Sequence, residues 1–169
     1  MNTAEITVKE NGQLFTYRHK DLTNYHGTGF PGGVAHAFQV LRRAIPLLDN
    51  GNPPERREIE IHTAFQGPGG RDGIEMVTRA TTDGRYHIDP NLARTERGPL
   101  LARYYFVFNY RGTTVKLQVK EGLVREEFVT LEHKKDRTAE EDARLEVLKV
   151  DMSDRLLGAP CEDIYELVD

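Results

Sequence analysis

The sequence predicts an α+β protein, an antiparallel sheet of hairpins with helices packed on one side. Turn-centred pairs of β-prone runs occur around Asn11-Gly12 and around Arg111-Gly112. Helix-period patterns follow two glycine-rich stretches and fill the C-terminal part, while the strand–helix alternation of a doubly wound sheet is missing. A length of 169 residues suits one domain, 1–169, that includes a C-terminal helical segment, 124–169.

Each element follows from local chemistry. Ile6-Thr7-Val8 and Leu14-Phe15-Thr16-Tyr17 flank Asn11-Gly12, a pair that tolerates positive φ, and predict a hairpin. A polar stretch, 18–24, leads into the glycine-rich loop Tyr25-His26-Gly27-Thr28-Gly29-Phe30-Pro31-Gly32-Gly33. Val34, Phe38, Leu41, Ile45 and Leu48 then share one helical face, with His36 off that stripe and read as a solvated or capping residue. Pro46 lacks the N–H that the ladder needs and is expected to end or kink this helix near Ala44. Ile59 and Ile61 alternate with Glu58, Glu60 and His62 in a strand with one wet face. Gln66-Gly67-Pro68-Gly69-Gly70 opens a short helix over about residues 71–80, and the polar stretch 82–99 reads as a long loop. Segments 101–110 and 113–119 form a second hairpin, with Phe106 and Phe108 on one face and Tyr105 and Val107 on the other. Helices are expected over 125–135 and 138–157, the second opened by the capping box Thr138-Ala139-Glu140-Glu141 and stopped by Gly158-Ala159-Pro160. Residues 164–168 suit a last strand.

Composition narrows the function. A net charge of -4 disfavours nucleic acid as a partner, because phosphate neutralisation dominates that affinity. Mean hydropathy is -0.59, and no apolar run approaches the roughly 20 residues that span a bilayer, so no membrane partner is expected. The polar opening Met1 to Glu10 is unlike a secretory signal and Cys161 has no second cysteine to pair with, which together predict a cytoplasmic location.

Two glycine loops each precede a helix, where unpaired N–H groups and a partial positive charge favour anions. Gly32, Gly33, Gly69 and Gly70, with Thr28 and Arg71, are the candidate substrate-binding set. Tight turns are the competing use for such glycines, and no Gly-Lys-Ser/Thr follows to make a Walker loop. His26, His62 and Asp72 are the candidate catalytic residues, because a near-neutral imidazole carries protons and a carboxylate at a helix start stays charged. Helix capping is the competing role for Asp72. His19, His87 and His133 lie in polar contexts with nothing to single them out. Without a His-x-x-x-His or Cys-x-x-Cys pair, no metal and no cofactor is expected; a metal site from His26, His62 and Asp72 would have to be assembled across loops.

Taken together, Tyr25-His26-Gly27-Thr28-Gly29-Phe30-Pro31-Gly32, the run Gly70-Arg71-Asp72-Gly73-Ile74-Glu75 to Arg79-Ala80-Thr81, and the ending Ala159-Pro160-Cys161-Glu162-Asp163-Ile164-Tyr165 resemble, in order, three motifs of the FmdE-like family, named for a component of molybdenum formylmethanofuran dehydrogenase. The resemblance implies a small α+β protein, a dimer, and a metal near the first motif. Thr28 stands where the motif has a second His, Phe30 where it has a Cys, and Arg79-Ala80-Thr81 where it has Gly-Cys-Thr. His26 and Asp72 carry over, whereas the soft ligands do not. The resulting expectation is a metal-independent enzyme acting by acid/base chemistry on a small anionic or carbonyl-bearing molecule. The alternatives are a non-catalytic binding or accessory subunit, and a metalloprotein with altered ligands using His26 and His62. A homodimer is expected to bury the aromatic run Tyr104 to Tyr110 or the C-terminal helices.

Overall fold

The computed structural model describes residues 4–169, and the first three residues of the polar opening lie outside it. Strands β1 (Ile6–Glu10) and β2 (Gln13–Tyr17) form the first hairpin, turned by Asn11 and Gly12 at φ 51 and 79. Helices α1 (His19–His26) and α2 (Pro31–Leu48) follow, then β3 (Glu60–Thr63), α3 (Pro68–Thr78) and β4 (Tyr86–Ile88). The second hairpin pairs β5 (Tyr105–Tyr110) with β6 (Thr113–Val119), and helices α4 (Glu126–His133), α5 (Ala139–Leu157) and α6 (Cys161–Ile164) lead to β7 (Tyr165–Leu167).

The main sheet has the order β4-β3-β5-β6-β7 and is antiparallel except for the parallel pair β3–β4. Successive side chains in a strand point to opposite faces. Ile61, Thr63, Phe106, Phe108, Val115, Leu117 and Val119 are accordingly buried on one face, while Glu60, His62, Val107, Lys116 and Gln118 lie half-buried on the other. Helix α2 packs against the sheet and is itself flanked by α1, α3, α5 and α6. Being wrapped on most sides, it buries Ala35, His36, Ala37, Gln39 and Val40 as well as its apolar stripe. His36 is therefore a core residue, not a solvated one. Gln39 likewise turns a polar group inward, donating to the carbonyls of Leu156 and Ala159 at the end of α5, where a helix leaves carbonyls without internal partners.

Several other expectations need correction. Residues 18–24 are not an irregular lead-in: they build α1, capped by the Arg18 N–H donating to Asp21 Oδ2 at 2.7 Å, and only Leu22 of that helix is buried, so no apolar stripe announced it. Pro46 neither ends nor breaks α2, because it is exposed in the last turn while Ile45 and Leu48 around it remain buried. Burial of those side chains outweighs the one lost ladder bond. The polar stretch 82–99 is ordered: it contains β4 and two short 3-10 turns, 90–92 and 95–97. Tyr104, Tyr105, Phe106, Phe108 and Tyr110 are all buried within a single chain, which leaves the C-terminal helices as the surface for the expected homodimer. The Thr138–Glu141 capping box forms as predicted. Among the described residues, no helix is long and apolar enough to cross a membrane.

Candidate functional site

Helices α2 and α3 both begin with proline at their first turn, and their N-termini meet backbone to backbone. A Cβ on Gly69 would lie 2.6 Å from the Phe30 carbonyl oxygen and 2.9 Å from the Val34 nitrogen, and one on Gly33 would lie 3.1 Å from the Gly70 nitrogen. Glycine is thus required here for close approach, a use that neither tight turns nor anion binding alone would have identified. The first bonds closing the two helices run from Val34 N to Phe30 O and from Arg71 N to Gly67 O, so the amides of Gly32, Gly33, Gly69 and Gly70 precede both ladders. Both dipoles concentrate positive potential at one place.

A cavity of about 220 Å³ opens beside this junction. Gly32, Gly33, Gly67 and Gly69 form part of its wall, and Phe30, Phe65, Tyr104 and Phe128 supply aromatic surface. Arg103 and Lys149 bring positive charge and Glu132 negative charge to the lining. His36 also lines the cavity, although only 1% exposed. Its Nδ1 lies 2.9 Å from the Tyr165 hydroxyl, and its ring is centred 4.6 Å from that of Tyr104. Burial, reinforced by the positive charge of Arg155, pushes its pKa down to about 3, so the imidazole is neutral at physiological pH. The geometry fits either direction: with the Tyr165 O–H donating to Nδ1 the ring proton is on Nε2, and with Nδ1–H donating to the hydroxyl Nε2 is an acceptor. That Nε2 is buried and has no partner among the described residues.

His26 and Asp72 are brought together: Nδ1 lies 2.8 Å from Oδ2, joining the last turn of α1 to the second turn of α3. His26 sits in a helix rather than in the glycine loop, its side chain is 7% exposed, and its Nε2 is buried without a partner among the described residues. Arg71 donates from Nε to Asp72 Oδ1 at 3.0 Å. Burial pushes the Asp72 carboxyl upward, but the hydrogen bonds from His26 and Arg71 overcome it and hold the group below its ordinary value. Neither His26 nor Asp72 lines the cavity; Phe30 does, and its ring is centred 5.8 Å from that of His26. Thr28 is exposed outside the cavity, and Arg71 serves Asp72 rather than the cavity wall.

His62 does not join His26 and Asp72. Its neighbour Ile61 faces the core, as does Tyr86, the residue paired with Ile61, whose hydroxyl lies within electrostatic reach of Asp72 and Arg71. Strand alternation sends His62 and His87 to the opposite face, where both meet Glu60. A metal of the kind the first motif implies does not fit here: Thr28 is exposed, Phe30 offers only a ring, and His26 Nδ1 is engaged by Asp72. Among the described residues, the side chains that gather as a metal-capable group are Glu60, His62 and His87 instead.

Sequence reasoning missed His36, Tyr165 and His87. Apolar or small residues on every side of residues 34–41 were the available signal that His36 would be enclosed. His87 and Tyr165 lie in three-residue strands too short to show a period. No family model matches the chain, and no curated protein matches it.

Proposed function

We propose that the protein is a small-molecule-binding module whose cavity at the joined starts of α2 and α3 takes a carboxylate- or carbonyl-bearing ligand with an apolar or aromatic body. The observation that carries this reading is His36: a buried, neutral imidazole at the cavity wall whose Nε2 has no partner among the described residues. With its proton on Nε2 the ring holds an unpaired buried donor, which costs roughly 1–3 kcal/mol; Nε2 is closed to solvent in this structure, so a ligand oxygen reaches it through a shift of the cavity wall. The two helix N-termini and the Arg103 cation favour a negatively charged group, Lys149 being paired with Glu146 at 2.7 Å, and the aromatic walls favour an apolar remainder. At about 220 Å³ the cavity is smaller than the roughly 300–1,000 Å³ of drug-sized sites, which selects small ligands. Calorimetric titration of benzoate and phenylpyruvate tests this: binding to the wild-type chain that is lost in Leu100→Trp, which puts an indole into the cavity, supports it. Equal behaviour of both chains refutes it.

A catalytic reading is favoured by the His26–Asp72 pair. With Nδ1–H donating to Asp72, Nε2 is left as an acceptor able to take a proton, the arrangement of a general base and its orienting carboxylate. In this reading the protein is a cytoplasmic, metal-independent acid/base enzyme related to the FmdE-like family through His26, Asp72 and the order of the three motifs. Because His26 Nε2 is closed to solvent, the side chains around it must then move to admit substrate. The cavity is already open beside the two helix starts, and the cavity reading is preferred.

A further inference from the structure

The outer face of the main sheet carries a second arrangement that the cavity does not use. In the parallel pair β3–β4, His62 stands directly opposite His87. Their rings stack with centroids 4.6 Å apart and planes 24° apart. Glu60, two residues before His62 and so on the same face, places one oxygen, Oε1, 3.1 Å from His62 Nε2 and 3.0 Å from His87 Nε2. Two imidazole nitrogens and a carboxylate oxygen therefore converge from three backbone positions that the strand register fixes.

We propose that Glu60, His62 and His87 form a binding site for one divalent transition-metal ion of the zinc class. Zinc takes imidazole nitrogen and carboxylate oxygen at about 2.0–2.2 Å, and in a tetrahedral site two such donors stand roughly 3.3 Å apart. The observed 3.0 and 3.1 Å oxygen–nitrogen separations are within a few tenths of an ångström of that, and all three ligand atoms lie within 4.8 Å of one another. Two nitrogens and one carboxylate also suit borderline ions rather than magnesium or calcium, which prefer oxygen. The three side chains are 35%, 41% and 45% exposed, for His62, His87 and Glu60 respectively. An ion held by them keeps an open side for water or an exogenous ligand, as three-ligand zinc sites do. This site lies across the sheet from the cavity, and its existence does not depend on the cavity binding anything.

Titration calorimetry of tag-free protein with zinc chloride tests the assignment. The expected result is one ion per chain, with affinity weakened roughly tenfold or more in His62→Asn and in His87→Asn and unchanged in His26→Ala. Copper(II) electron paramagnetic resonance on the wild-type chain gives a reading that needs no variant: hyperfine coupling to two imidazole nitrogens is expected. Absence of zinc binding, binding that survives in both histidine variants, or a copper spectrum without nitrogen coupling would overturn the proposal.

Discussion

His36 and Tyr165, 129 residues apart in sequence, are joined by a 2.9 Å hydrogen bond inside the core. The bond ties the central helix to the edge strand β7. Since burial favours the neutral ring, this interaction has a consequence for acid stability.

The unfolded chain takes up a proton on His36 near its ordinary pKa of 6.5, whereas the folded chain does so only near pH 3. Between those values the unfolded state binds more protons, so the stability associated with the neutral ring is complete above pH 6.5 and is lost as pH falls toward 3. The slope approaches about 1.4 kcal/mol per pH unit. Asp72 acts in the same direction at lower pH, because its depressed carboxyl must protonate as acid unfolds the chain. Urea unfolding at intervals from pH 7 to 4.5 should show this loss, and His36→Gln, though less stable at pH 7, should show a clearly shallower slope. Parallel slopes in both proteins would rule out a neutral buried His36.

The meeting of the two helix starts predicts a contrast between neighbouring glycines. Gly69→Ala presses a methyl against backbone, the Phe30 carbonyl and the Val34 nitrogen, and should cost roughly 1–3 kcal/mol or more. Gly32→Ala meets mainly the flexible end of Met152, its sulfur at 3.0 Å, and should cost distinctly less. Denaturant midpoints for the two variants check the order.

His26→Ala removes the bond from α1 to Asp72 and should lower stability by about 1.5–3 kcal/mol, the range for a hydrogen bond to a charged group. His26→Asn keeps a nitrogen at the place of Nδ1 and should recover part of that loss in thermal melts. Recovery shows a structural tie. No loss in His26→Ala would instead mark a side chain free for catalysis.

The parts of this architecture that were legible in the sequence are those written in local chemistry. Asn11-Gly12 and Arg111-Gly112 specify their hairpins through positive φ, and Thr138 with Glu141 specifies the start of α5. Helix α1 was hidden because its stability comes from tertiary packing of Leu22 and from the His26–Asp72 tie, neither of which leaves a period in the sequence. The site was legible only in halves. Glycines at 32, 33, 69 and 70 pointed to two helix starts, but that these touch, and that His36 is enclosed beside them, follows from the packing of α2 among its neighbours. The pairing of His62 with His87 rests on the register of the three-residue strand β4, which lies within a polar stretch that reads as loop.

The central claim, that the cavity at the starts of α2 and α3 holds a small carboxylate or carbonyl compound through His36, is tested most directly by nuclear magnetic resonance. Acetate, pyruvate, benzoate and phenylpyruvate would be added to chain labelled with nitrogen-15, and both the backbone amides and the imidazole nitrogens followed. At least one compound should move the amides of Gly32, Gly33 and Gly69 together with Nε2 of His36, while leaving Glu60, His62 and His87 still. Shifts confined to other surfaces, or a His36 ring whose nitrogens respond to none of the four compounds, would contradict the account.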